Sequence, residues 1–213
     1  MTKILDIVQR PDAAAERVKH VLYNPSKKVL VFDEKLKESI EVLIATMRHA
    51  QGIGIAAPQV GWDQQIFIIE ANLESSRYPN LRQHPELVDV PLQIFINPKI
   101  TRVSAEKVSY WHGCLSASNA PRGQLATYKS IEFEAQNLQG ELFSGKLDFL
   151  ASIIFQHEFR HLLGGLYIDH AKEFIPLSDL RDKVLKSELS LFKVHPEESV
   201  PLLLSDYQVG ESI

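Results

Sequence analysis

Two histidines and a glutamate stand together in the segment HEFRH, at His157, Glu158 and His161. On a helix, residues i and i+4 lie about 6 Å apart on one face, so both imidazoles can bind one metal ion. Glu158, one position further round the helix, can then act as a general base on water activated by that ion. The alternative interpretation is that both histidines are hydrogen-bonded core residues of a buried helix.

A third candidate ligand is Cys114, the only cysteine among the 213 residues. Catalytic zinc or ferrous sites use three protein ligands and leave a position open for water, and a thiolate is a strong ligand for both ions. A lone cysteine cannot form an internal disulfide, but it is also a common inert residue of protein cores. The residue types alone therefore leave both interpretations of Cys114 open.

A metallopeptidase with the HExxH motif is the alternative enzyme class. It would need another histidine or glutamate after the motif to complete its ligand set. None of the downstream candidates stands at the metzincin spacing; they are His170, Glu173, Glu188 and His195. The peptidase interpretation would also assign no role to the glycine-rich segment GIGIAAPQVGW, at 52–62.

The elements that must position these residues are indicated by apolar periodicity. A stripe of Leu147, Leu150, Ile154 and the two histidines predicts a helix that begins near Lys146, and Gly164-Gly165 is expected to end it. Its interior, FLASIIF, is so apolar that we expect a central, buried helix. Two further helices are predicted. One covers 34–50, with Asp33 as its N-cap, and the other covers 177–192.

Short segments rich in β-branched and aromatic residues predict strands over 64–71, 92–100 and 128–138, and another beginning at Lys107. Asn97-Pro98 is expected to end the second of these strands, because proline donates no hydrogen bond. The polar stretch 72–90 is predicted to be a long loop or insertion. The expected fold class is α+β, with antiparallel or mixed sheets around the central helix.

The composition excludes several classes of protein. The chain has 23 Lys and Arg against 27 Asp and Glu, with a net charge of -4 and no basic stripe, so no direct nucleic-acid site is predicted. No run of 18 apolar residues indicates a membrane span. We expect a cytoplasmic protein with a single domain over 1–192 and a C-terminal tail over 193–213, and the sequence leaves its oligomeric state open.

The three motifs together resemble those of the peptide deformylase family. GIGIAAPQVG, HGCLS and QHEFRHLLGGLYID are similar to G-x-G-[IL]-A-A-x-Q, E-G-C-L-S and H-E-x-D-H, in the same order. The resemblance extends from about residue 1 to the helix near 192. It implies antiparallel sheets around a central helix, and an enzyme that removes formate from N-formylmethionyl nascent peptides, which it would meet at the ribosome.

The resemblance also implies the site residues. Cys114, His157 and His161 would bind one metal ion per chain, usually Fe²⁺, for which Zn²⁺, Ni²⁺ or Co²⁺ can substitute. Glu158 would be the base, while the side chain of Gln59 and the backbone amide of Leu115 would donate to the developing oxyanion. The residues implied to contact substrate are Ile53, Gly54, Gly113, Arg122, Leu150, Ile153 and Ile154. Each of these has a plain alternative as a turn glycine, a core residue or a surface arginine.

The chain departs from the family pattern close to the proposed ligands. His112 stands where the family has glutamate, Arg160 replaces the aspartate of the third motif, and Leu125 occupies the position of a common arginine. One hypothesis is that Arg160 replaces the cation that is lost at 125. Two alternatives to formylmethionine hydrolysis follow from these departures: an altered N-acyl substrate, and a peptide-binding protein without turnover.

Overall fold

The computed structural model describes residues 3–73 and 87–213, which form two antiparallel sheets and four helices. The helices are α1 (Ala14–Arg17), α2 (Glu34–His49), α3 (Phe149–Leu162) and α4 (Leu177–Leu185). The strands are β1 (Gly54–Ala56), β2 (Ile66–Ala71), β3 (Val90–Val103), β4 (Lys107–His112), β5 (Arg122–Tyr128), β6 (Ser130–Gln136), β7 (Leu142–Asp148), β8 (Phe174–Ile175) and β9 (Phe192–Val194). One sheet has the order β1-β2-β3-β6-β7 and the other β8-β5-β4-β9, and α3 contacts strands of both. The predicted α+β fold class is confirmed.

The central helix α3 is fixed at both ends. Asp148 begins it, with a side-chain oxygen that accepts a hydrogen bond from the Phe149 amide at 2.9 Å. Gly164 follows its end with φ +82°, and a Cβ there would lie 2.7 Å from the backbone of Asn24. Glycine is therefore required at this position both by the left-handed backbone and by the close approach. Twelve of the fourteen residues of α3 are buried, as its apolar interior predicts.

Three predicted boundaries are wrong. The helix does not begin near Lys146, because 142–148 pair with β6 as strand β7. The helix predicted over 177–192 ends at Leu185, and Phe192 begins β9, which pairs with β4. β3 continues through Asn97-Pro98 because its register shifts there, with Asn97 at φ +50° and the Asn97 side chain hydrogen-bonded to both backbone groups of Val29.

Residues 193–213, the C-terminal segment, make hydrogen bonds with both sheets. Within it, Leu203 and Leu204 are buried in the main core. The Leu203 amide donates to the Ala126 carbonyl of β5 at 2.9 Å, and the Gly210 amide donates to the Ile100 carbonyl of β3 at 2.9 Å. The segment is therefore held against the domain along its length.

Within 3–73 and 87–213, no helix combines the length and the apolar character that a membrane span requires. Most of the predicted insertion over 72–90 lies outside the described residues, since 74–86 are not described.

Candidate metal centre

The structure brings together the side chains of Cys114, His157 and His161. Their ligand atoms all lie within 4.8 Å of one another. The Cys114 Sγ is 3.3 Å from His161 Nε2, and the two histidine rings, one helical turn apart on α3, have centroids 5.3 Å apart. Cys114 reaches them from the turn that follows β4, so the tertiary fold joins a loop residue to two residues of the buried helix.

His112, the last residue of β4, lies directly behind His157. The Nδ1 atoms of the two rings are 3.2 Å apart, and the rings are nearly parallel, with an interplanar angle of 6°. His157 Nδ1 is engaged by this contact, so Nε2 is the nitrogen that it can offer to a metal ion. With His161 Nε2 and the Cys114 sulfur, this gives a donor set of one sulfur and two nitrogens.

The electrostatics of this donor set suit a divalent cation. Burial, and secondarily the charge of Arg122, lowers the pKa of His157 to about 4, so its imidazole is neutral at pH 7. Burial and the nearby Glu158 raise the pKa of the Cys114 thiol to about 12 in the metal-free protein. A bound cation reverses this shift and lowers the pKa of the thiol, because a coordinated thiol is deprotonated by the charge of the metal. The residues present therefore fit a zinc-like or ferrous ion.

Glu158 lies on α3 between the two histidines and is 4% exposed. Its Oε2 has no hydrogen-bond partner among the described residues, and burial raises the pKa of the carboxyl well above its usual range. A Cβ at Gly54 would lie 2.5 Å from Glu158 Oε1, so β1 can approach the carboxyl this closely only through a glycine. A buried carboxyl with a free oxygen beside a metal-binding cluster is suited to proton transfer.

Gln59 has a fixed amide orientation, although it comes from the glycine-rich loop. It is 2% exposed, and its Oε1 accepts a hydrogen bond from the Ala56 amide at 2.8 Å. Its Nε2 consequently points toward the cluster, where it donates to Cys114 Sγ and to Ser116 Oγ, both at 3.3 Å. Ser116 was not identified as a site residue from the sequence; its place in the HGCLS motif, two residues after Cys114, was the available signal.

The remaining site residues predicted from the sequence lie on several elements. Leu115 begins the short 3-10 turn after Cys114. The guanidinium of Arg122 lies against Gly113, where any Cβ would overlap it. Ile53, before β1, is 43% exposed, whereas three apolar residues of α3 are buried in the main core: Leu150, Ile153 and Ile154. Their contacts with substrate stay a prediction.

The family model described as polypeptide deformylase matches residues 4–175. The chain belongs to this family. It is 39% identical to peptide deformylase 2 of Nostoc sp. over 142 residues, which are 67% of this chain and 75% of that protein. It is 36% identical to the peptide deformylase of Thermotoga maritima over 149 residues, 70% of this chain and 80% of that protein.

Solved structures agree with the family assignment. The crystal structure of the Thermotoga maritima peptide deformylase superposes with a TM-score of 0.65 and 32% identity, covering 80% of this chain and 99% of that one. A plant peptide deformylase gives a TM-score of 0.64 at 29% identity, covering 86% and 89% of the two chains. The predicted family is therefore confirmed, and the chain is an enzyme of the peptide deformylase type.

Besides His112, the two other departures from the deformylase pattern have defined surroundings. Leu125 is fully buried within β5, as part of the apolar core. Arg160, on α3 and only 4% exposed, forms an ion pair with Asp206 at 2.5 Å. Asp206 belongs to the C-terminal segment, beyond the range that the family model matches. The charge at 160 therefore connects the metal-binding helix to the C-terminal segment.

Replacing Arg160 by aspartate, the family residue, should destabilise the protein. The substitution buries a carboxyl without a cation and places it opposite Asp206. Breaking a buried pair costs about 3–5 kcal/mol, and the 56% exposure of the Asp206 side chain reduces this to roughly 2–4 kcal/mol. Urea unfolding of R160D measures the change. Greater stability or higher activity in R160D would contradict the assigned pairing.

The double substitution R160D/D206R and the single change Asp206→Asn are the controls. The first restores opposite charges and should recover part of the stability. Burial alone raises the pKa of Asp206, but the charge and hydrogen bond of Arg160 outweigh it, so this pKa is lowered in the folded protein. The pair therefore stabilises the fold above the unfolded pKa of about 3.9 and loses its effect as pH falls below it. The stability difference between the parent and D206N should shrink over that acidic range.

Proposed function

We propose that the chain removes the formyl group from the N-terminal N-formylmethionine of newly made peptides, with a divalent metal ion held by Cys114, His157 and His161. The observation that carries the proposal is the convergence of these three donors within 4.8 Å, beside the buried carboxyl of Glu158. The proposed physiological ion is Fe²⁺, one per chain, and Zn²⁺, Ni²⁺ or Co²⁺ would substitute for it. When bound, the ion supplies Lewis acidity, which polarises a carbonyl oxygen and makes water more acidic.

Glu158 is the proposed proton carrier. Its carboxylate accepts a proton from the attacking water, and the carboxyl then gives a proton to the amine nitrogen as the carbon–nitrogen bond breaks. Formate and a peptide with a free amino terminus are the products. Burial raises the pKa of Glu158 well above its usual range, so this carboxyl holds a proton more readily than an exposed glutamate does.

Gln59 and Leu115 are the proposed donors to the formyl oxygen. The Ala56 amide holds the Gln59 side chain with Nε2 toward the cluster, so this donor needs little reorganisation during the reaction. The backbone amide of Leu115 follows Cys114 directly and would supply the second hydrogen bond. Both donors are neutral and would stabilise negative charge as it develops on the oxygen.

The substrate peptide is proposed to bind along β1. Among the described residues, β1 lies at the edge of its sheet and pairs with β2 only, so an extended peptide can add to it as a further strand. Gly54 would permit the close approach of the peptide backbone, and the exposed Ile53 precedes Gly54 in the chain. Arg122 would contact the peptide beyond its methionine. Leu150, Ile153 and Ile154 are the proposed apolar lining for the methionine side chain. Since formylmethionyl chains are made on ribosomes, the cytoplasm is the proposed place of action.

The direct test is formate release from formyl-Met-Ala-Ser by protein purified without oxygen and loaded with Fe²⁺ or Ni²⁺. We expect turnover of this peptide, little hydrolysis of acetyl-Met-Ala-Ser, and no formate from the unformylated peptide. His112 and Arg160 motivate a second candidate, an altered N-acyl preference. Faster cleavage of the acetylated peptide would favour it, and metal-loaded protein inactive on both peptides would contradict the proposed activity.

A further inference from the structure

The contact between His112 and His157 limits the protons that the two rings can carry. Their Nδ1 atoms face each other at 3.2 Å, with both rings nearly parallel and His112 only 2% exposed. A contact of this length is a hydrogen bond, and it holds one hydrogen. One ring must donate through Nδ1, and the other must accept.

Metal binding decides which ring donates. A histidine ligand must present an unprotonated nitrogen to the cation, and for His157 that nitrogen is Nε2. The proton of neutral His157 therefore lies on Nδ1, which donates to His112. His112 must accept with Nδ1, so its own proton lies on Nε2. A doubly protonated His112 would direct a second hydrogen into the same contact.

We propose that His112 is a positioning residue that holds His157 in its Nδ1-protonated tautomer and fixes the direction of Nε2 toward Cys114 and His161. This inference rests on the proposed metal site. Hydrogen bonds behind metal ligands set the tautomer and orientation of a histidine and raise its basicity as a ligand. In this chain the acceptor is a neutral imidazole at the position where the family motif has a glutamate.

The buried Nε2 of His112 argues against a merely space-filling role. It has no hydrogen-bond partner among the described residues. A buried polar atom without a partner is costly, whereas an apolar side chain of similar size would avoid that cost. With Nδ1 of His112 placed behind His157, the Nε2 atom of the same ring is left without a partner. The unpartnered Nε2 is thus a consequence of the position of Nδ1.

Two substitutions separate positioning from packing. In His112→Asn the side-chain oxygen can occupy the place of Nδ1 and accept the same hydrogen bond, whereas in His112→Leu no acceptor remains. Zn²⁺ affinity is measured by competition with a chelator. We expect H112L to bind Zn²⁺ roughly 10–100-fold more weakly than the parent, and H112N to stay within about threefold of it. Equal affinity of H112L and the parent, or equal losses in both variants, would overturn the inference.

Nitrogen-15 NMR of the Zn²⁺-loaded parent gives a second readout that needs no variant and remains available if H112L does not fold. We expect a proton on Nδ1 of His157 and on Nε2 of His112. A proton on Nδ1 of His112 would refute the assignment, even with Zn²⁺ bound. A parent that binds no Zn²⁺ would instead refute the metal site itself, so the failures of the two proposals are distinguishable.

Discussion

Replacing Glu158 by glutamine should lower the rate of formate release by about 10²–10⁴-fold while the metal content stays unchanged. Glutamine has nearly the same shape, but its amide cannot accept a proton from water and return it to the amine. The carboxyl lies beside the three proposed ligands and is not one of them, so the donor set remains complete. The measurements are kcat on formyl-Met-Ala-Ser and the metal-to-protein ratio.

Glu188→Gln is the matched control for this substitution, because Glu188 is exposed in the chain beyond α4. It should have the activity of the parent. An E158Q variant that kept more than a tenth of the parent rate would show that Glu158 is not the proton carrier. Loss of metal from E158Q would instead assign the residue to the ligand set.

Replacing Cys114 by serine should strongly weaken metal binding and, with it, abolish activity. The Cys114 sulfur accepts hydrogen bonds from the Gln59 side chain and the Ser116 amide, and a serine oxygen can accept the same bonds. The local fold should therefore persist. A neutral hydroxyl is a far weaker ligand than a thiolate for zinc or iron. We expect the affinity for Zn²⁺ to fall by roughly 100-fold or more. Removing a hydrogen-bond partner of a metal ligand weakens binding by about 10–100-fold, and removing the ligand itself should weaken it further.

The C114S experiment combines chelator competition with thermal unfolding in the absence of metal. His49→Ala, an exposed histidine at the end of α2, is the control and should bind Zn²⁺ as the parent does. An unchanged Zn²⁺ affinity in C114S would remove the sulfur from the ligand set. Gross destabilisation of metal-free C114S would mean that the thiol acts mainly in the packing of the fold.

Local patterns account for the parts of the site that lie on one element. The spacing of His157 and His161 is a property of a single helix, and the apolar run before them indicated correctly that this helix is buried. The residue types could not decide whether Cys114 was a ligand, because the cysteine lies 47 residues before His161 in the sequence. Before the structure, only the resemblance of three motifs to one family indicated that Cys114, His157 and His161 belong to the same metal site.

Strand pairing explains the errors in the predicted elements. Residues 142–148 alternate between exposed and more buried positions, as strand residues do, and they form β7 because β6 supplies a hydrogen-bonding partner along their whole length. A helical pattern in the local sequence does not show that a neighbouring strand is available for pairing. β3 passes Asn97-Pro98 for a similar reason, since the Asn97 side chain bonds the backbone of Val29, far away in the sequence.

The sequence by itself determined the helix that carries HEFRH, the family to which the chain belongs and the chemical types of the site residues, because these depend on short-range spacing and on motifs. Tertiary structure alone decided that His112 lies behind His157 and that Arg160 pairs with Asp206. Both contacts join residues more than forty positions apart. Such contacts depend on the register of strands and on how the C-terminal segment packs, and neither is encoded in the spacing of neighbouring residues.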